Sequence, residues 1–165
     1  MKHQLFQNSI APENLPPVPG DSINAHNFSE SVLHAFSLVV LGVGPNANQL
    51  GSPQHEPGTV GYVESLRIAV KFPRQGSIAK GSIGWLPKEL PPGERGIVQY
   101  RGIVPCVVAG AMTAGDLVSI CTSEGRIGRG QVATSGEEAI GQILTSSVDG
   151  EIAPLRLFGC VVPLP

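Results

Sequence analysis

A chain of 165 residues and 17.2 kDa is long enough for one domain with a true core, or for a smaller domain with extended arms, and short for two full domains. Charged residues make up 15% of it, and Gly (21) and Pro (15) together reach nearly twice their usual share, which excludes a helix-rich protein. A net charge of −2, a mean hydropathy of +0.12 and 41% hydrophobic residues exclude a disordered one.

The charge is unevenly spread. Between His3 and Leu66 there is no Lys or Arg, and residues 1–66, with Lys2 included, carry −4. From Arg67 to Arg101, seven cations against Glu89 and Glu94 give +5, and the remainder carries −3. No global field gathers nucleic acid or an anionic membrane. A long surface without a basic residue is suited to cover by partner proteins.

In chain order, Met1–Asn8 has one lysine and no apolar core of a secretory signal, and the longest apolar run, Phe36–Val43, is too short to span a bilayer. Residues 1–25 carry Pro12, Pro16, Pro17 and Pro19, which favour extended backbone, so residues 1–35 are expected to form an N-terminal arm. Asn27 stands three residues before Glu30, and Phe28, Val32 and Phe36 form a stripe, which allows a short helix near 28–35.

Residues 36–165 are expected to form the folded domain. Phe36–Val43 reads as a buried strand ended by Gly44-Pro45-Asn46, followed by a polar loop to Gly58. Leu66–Phe72 alternates apolar with polar or small residues and reads as a half-buried strand, paired with Thr59–Glu64. Gln75–Trp85 is punctuated by glycine, and Leu86–Glu94 is a loop with three prolines. Further apolar runs at Ile97–Val104, Cys106–Val108, Leu117–Cys121, Ile140–Leu144 and Leu155–Val162 recur at the spacing of a sandwich or small barrel. Gly110–Asp116 is a small-residue turn, and Ser123–Arg126 a hairpin return. The expected core is Leu66, Ile68, Val70, Phe72, Ile97, Val104, Val118, Ile120, Ile140, Ile143, Leu155 and Leu157.

Signatures of chemistry are sparse. Gly81-Ser82-Ile83-Gly84 is a fragment of a serine elbow without the helix that should follow. The histidines, His3, His26, His34 and His55, lie far in sequence from Cys106, Cys121 and Cys160, whose apolar surroundings predict buried free thiols. His26 and His34, and the adjacent His55-Glu56, lack the spacing of metal ligands. Gly42-Val43-Gly44 is followed by Pro45 and has no third glycine, so it is not a dinucleotide loop. Asp21, Asp116 and Asp149 suggest no catalytic carboxylate pair. The expectation is no enzyme activity, no cofactor and no metal. The basic residues Arg67, Lys71, Arg74, Lys80, Lys88, Arg95 and Arg101 have few aromatics among them, which fits an acidic protein partner better than nucleic acid.

The run Arg101–Ile120, followed by Gly125-Arg126-Ile127, Ala139–Leu144 and Gly150–Leu157, resembles the head decoration, or capsid cement, proteins of tailed phages. The likeness lies in a strand, a small-residue turn leading to Ala-Gly-Asp-x-Val, a hairpin return and two further strands, so Gly110, Gly115, Asp116 and Gly125 are its turn-defining residues. The resemblance implies an all-β fold, a small barrel or β-tulip-like domain. It also implies a homotrimer that binds the major capsid protein on the capsid exterior, is assembled in the host cytoplasm, and engages neither nucleic acid nor membrane. Pro12, Pro16, Pro17, Pro19, Arg67, Lys71 and Arg74 are then the expected capsid or subunit contacts. A low charged fraction suits a surface that is largely interface. A lipoyl-type carrier barrel would need an exposed lysine at a hairpin tip, and none occurs after Lys88. A virion surface adhesin and a small β-fold hydrolase are the alternatives from other classes.

Overall fold

The computed structural model describes residues 21–43 and 68–165, and among these the chain is all-β. Five strands, β1 (Ser22–Asn27), β2 (Leu38–Val43), β3 (Ile68–Lys71), β4 (Ile83–Trp85) and β5 (Arg95–Gln99), close into a barrel in the order β1-β3-β2-β4-β5. A second sheet follows, with β6 (Arg101–Val107), β7 (Leu117–Ile120), β8 (Gly130–Val132), β9 (Glu138–Ile143) and β10 (Ile152–Pro163) in the order β6-β10-β9-β7-β8. An isolated parallel bridge between Val108 and Gly130 brings its two edges together, so this sheet is curled.

Period-2 burial builds the second sheet: in β10, Ala153, Leu155 and Leu157 are buried while Ile152 and Arg156 are exposed, and Val104 and Cys106 of β6 face the same interior. The barrel contributes Leu38, Ile83 and Trp85 to this core, so the two halves share it. A second cluster, with Ala25, Val39, Val70 and Val98, fills the barrel. Pro105 and Pro154 face each other across β6 and β10. Both carbonyls point away from that ladder, Pro105 to the Trp85 indole and Pro154 to the Leu144 amide, so the missing N–H groups cost this strand pair no hydrogen bond.

Several expectations are corrected. The 28–35 segment is not helical: the Asn27 side chain accepts from the Ser29 amide and hydroxyl, and donates to the carbonyls of Ser31 and Leu90. These bonds, with a bridge between Leu33 and Leu90, hold an extended, turned path. Ser22–Asn27, within the stretch expected as arm, is β1 of the barrel; residues 1–20 of that stretch lie outside the described residues. So do Thr59–Glu64, and the neighbours of β3 are β1 and β2. The single run expected at Ile97–Val104 divides at Tyr100: β5 stays in the barrel and β6 belongs to the second sheet, where it continues through Pro105 into Cys106 and Val107.

Of the expected core, Leu66 is outside the described residues, Phe72 is half-buried, and Ile68 (37% exposed) and Ile97 (46% exposed) are surface residues. Ile68 opens β3 at the barrel rim. In β5 it is Val98 that points inward, into space left by Gly84, where an added Cβ would lie 2.2 Å from Val98 Cγ1. The remaining eight, Val70, Val104, Val118, Ile120, Ile140, Ile143, Leu155 and Leu157, are buried as expected.

Candidate interaction surface

Pro12, Pro16, Pro17, Pro19 and Arg67 lie outside the described residues. Lys71 and Arg74 are brought together with Lys80 around a groove of about 280 Å³ beside the barrel, also lined by Ser77 and Ile78. The backbone between Phe72 and Ser82 is tied at Gly76 to the β7–β8 connection and at Gly81 to a β9 side chain. The Gly76 amide donates to Thr122 O at 3.0 Å and the Gly81 amide to Glu138 Oε2 at 2.5 Å. Gly76, at φ +70°, closes a turn in which the amide and hydroxyl of Ser77 donate to Arg74 O. Ile78 is 55% exposed, and its place among the three cations is visible only in the folded chain. Lys88, Arg95 and Arg101 are exposed elsewhere and do not line the groove.

Of the turn-defining residues, Gly110 follows β6, Gly115 and Asp116 lead into β7, and Gly125 lies in the β7–β8 connection. Gly110, Gly115 and Gly125 take φ of +86°, +98° and +71°, a region that favours glycine. Asp116 accepts from the Thr113 amide at 2.8 Å, closing the turn that leads into β7. Asp149, which sequence reading left without a role, ties three turns together. It accepts from the Gly110 amide at 2.9 Å and from Arg126 Nη2 at 3.0 Å, with Arg129 Nη1 at 3.9 Å.

A cleft of about 550 Å³ lies where barrel and sheet meet, lined by Ile23, Leu41, Ile83, Ile140 and Leu157 with Ser82, Tyr100 and Cys160 among the polar groups. Cys106 and Cys121 are buried free thiols as expected, but Cys160 is exposed. It follows Gly159 (φ +75°) in the stretch where the β9–β10 register shifts, so the inward alternation of β10 is lost there. Desolvation pushes the Cys106 thiol up from 9.0 to about 12, opposed by a backbone hydrogen bond with Gly130. Among the described residues no three His, Cys, Asp or Glu side chains converge as metal ligands, and no helix is long and apolar enough to cross a membrane.

The geometry defines a two-part all-β module, a closed barrel fused to a curled sheet, whose candidate groups sit on grooves and turn tips. Among solved structures the chain is similar to the N base of head fiber gp8.5 in bacteriophage phi29, with a TM-score of 0.53 and 12% identity over 86% of this chain and 96% of that one. At that identity the likeness is one of fold. Neither a protein-family model nor a curated protein matches the chain.

Proposed function

We propose that this protein is a structural component of a tailed-phage virion, seated on the outer surface of the capsid as a decoration protein. The observation that carries this reading is the fold shared with the phi29 head fiber base over 86% of the chain. The decoration-protein pattern of turns between Arg101 and Leu157 supports it independently, and those turns are formed in the structure. Its role is mechanical rather than catalytic: it binds the major capsid protein and resists shell expansion. The proposed state is a homotrimer, in which three weak contacts to one shell act at high effective concentration.

The test mixes the purified protein with undecorated capsids assembled from the major capsid protein of its source phage. Sedimentation should show saturable binding, and sedimentation velocity a species of three chains. A monomer that never sediments with capsids overturns the reading. A variant lacking residues 1–20 leaves β1 intact. Equal binding by that trimeric variant would remove the proline-bearing segment as an anchor.

A further inference from the structure

We infer that the groove formed by Lys71, Arg74, Lys80 and Ile78 is the seat for an acidic, extended peptide segment carrying at least one apolar side chain, presented by the shell protein. This rests on the capsid-surface reading and names the chemistry of its contact. Three observations carry it.

Charge is the first. The three cations lie within ten residues of a chain whose net charge is −2, and among the described residues no carboxylate lines the groove. Among the described residues none of the three is in an ion pair. Two carboxylates stand at the margins of the loop, Glu138 accepting from the Gly81 amide and Glu124 from Gln75 Nε2 at 3.4 Å, and neither lines the groove. Three cations on the lining, unpaired among the described residues, against two acids at the margin leave a net positive field over the groove, suited to an anionic partner.

Preorganisation is the second. Arg74 and Lys80 stand on a backbone held at Gly76 by the β7–β8 connection and at Gly81 by Glu138 of β9, and Pro73 between Lys71 and Arg74 is buried. Binding need not order that loop, which lowers its entropic cost. Chemistry is the third. Ile78 projects from the same loop with more than half its surface in water, an apolar contact that a phosphate backbone would not use. Phe72, next to Lys71 in the chain, is half-buried and tilted against the His34 ring at 6.1 Å, so among the described residues it offers these cations no open platform for stacking bases. A peptide with carboxylates flanking an apolar residue satisfies both halves of the groove.

The probe is a fluorescein-labelled peptide of Asp-Leu-Glu repeats, titrated with the full chain by anisotropy at rising NaCl, beside a labelled single-stranded oligonucleotide of equal charge. The peptide should bind more tightly than the oligonucleotide and weaken as salt rises. The triple variant K71Q/R74Q/K80Q should lose about tenfold or more of peptide affinity, the sum of three modest ion pairs. K88Q/R95Q/R101Q, which removes equal charge away from the groove, should stay within about twofold, since screening confines exposed charges to their neighbours. Ile78→Ser should weaken the peptide without changing its salt slope. Melting curves for every variant report that the fold is kept.

Equal loss in both triple variants, or tighter binding of the oligonucleotide, overturns the inference. Capsid sedimentation separates it from the reading beneath it. A groove variant that binds capsids as tightly as the unaltered protein removes the groove as the seat and leaves the decoration reading standing. If no variant, nor the unaltered protein, binds capsids while the peptide results hold, the groove stands as an acidic-peptide site and the decoration reading falls.

Discussion

The indole Nε1 of Trp85, on β4 of the barrel, donates a 2.6 Å hydrogen bond to the backbone carbonyl of Pro105, on β6 of the second sheet. Both groups are buried, and the bond is one of several that fuse the two halves. The Leu38 amide donates to Gly128 O at 2.6 Å, and the Val107 amide to Phe36 O at 3.3 Å. Phe36 has a positive φ of 61°, unique among the described non-glycine residues, and its ring stacks on Trp85 at 6.1 Å. Strain at Phe36 is thus held by the junction it helps to form.

Trp85→Phe keeps most of the apolar volume but leaves the Pro105 carbonyl without this donor. It should cost about 1–3 kcal/mol, the usual penalty for an unsatisfied buried polar group, whereas Trp85→Ala should cost about 3–5 kcal/mol by adding a cavity. Urea unfolding of the three proteins measures both steps. A Trp85→Phe variant as stable as the parent would show that the indole bond does not hold the halves together.

Barrel closure makes a compensating pair of Gly84 and Val98. An added methyl at residue 84 would overlap Val98 Cγ1. Gly84→Ala should destabilise by about 1–3 kcal/mol through overpacking, and Val98→Ala by a comparable amount through its cavity. The double variant should recover a good part of the sum, because the two changes share one space. Strict additivity in chemical unfolding would contradict the β4–β5 packing.

Alkaline pH should weaken the fold through Cys106. Its folded thiol is held near 12 by burial, against an ordinary 9.0. Below pH 9 both states are protonated and this stabilisation is fully present. As pH rises from 9 towards 12 the unfolded thiol ionises first, and stability falls, on the order of 4 kcal/mol at the upper end. Cys106→Ala should flatten that part of the stability-against-pH curve relative to the parent; an unchanged slope would remove Cys106 as its source. In the native protein at pH 8 a disulfide reagent should titrate one thiol, that of Cys160, and the other two only after denaturant is added.

Asp149→Asn keeps an oxygen for the Gly110 amide but removes the charge facing Arg126 and Arg129. Asp149 and its partners are partly exposed, so the loss should be at most about 1 kcal/mol and should shrink further in high salt. Thermal melts at low and high ionic strength check this. A large, salt-independent loss would mean that the three turns depend on the ion pair rather than on their glycines and backbone bonds.

Composition and local pattern were enough to establish that this chain is all-β, because Gly and Pro spacing, β-branched runs and turn residues act over a few neighbours. Strand β8, which starts at Gly130 beyond the expected return at Ile127, was not legible, but strand β2 was as a continuous apolar run and the inward face of β10 as period-2 alternation, both local properties. The turns at Gly110, Gly115 and Gly125 were legible for the same reason, since only their own backbone angles were at issue. What required the tertiary structure was partnership. Nothing near Tyr100 announces that β5 and β6 belong to different sheets, since both are apolar runs and the division is made by distant strands β1 and β10. Ile97 and Val98 are equally apolar, and the gap left by Gly84 decides which one turns inward. Cys160 faces outward because the β9–β10 register shifts beside it. Lys71, Arg74 and Lys80 read as a loose basic run; hydrogen bonds from Gly76 to the β7–β8 connection and from Gly81 to Glu138 of β9 gather them around one groove. Long-range pairing and close packing decide these features, and neither leaves a periodic mark on the sequence.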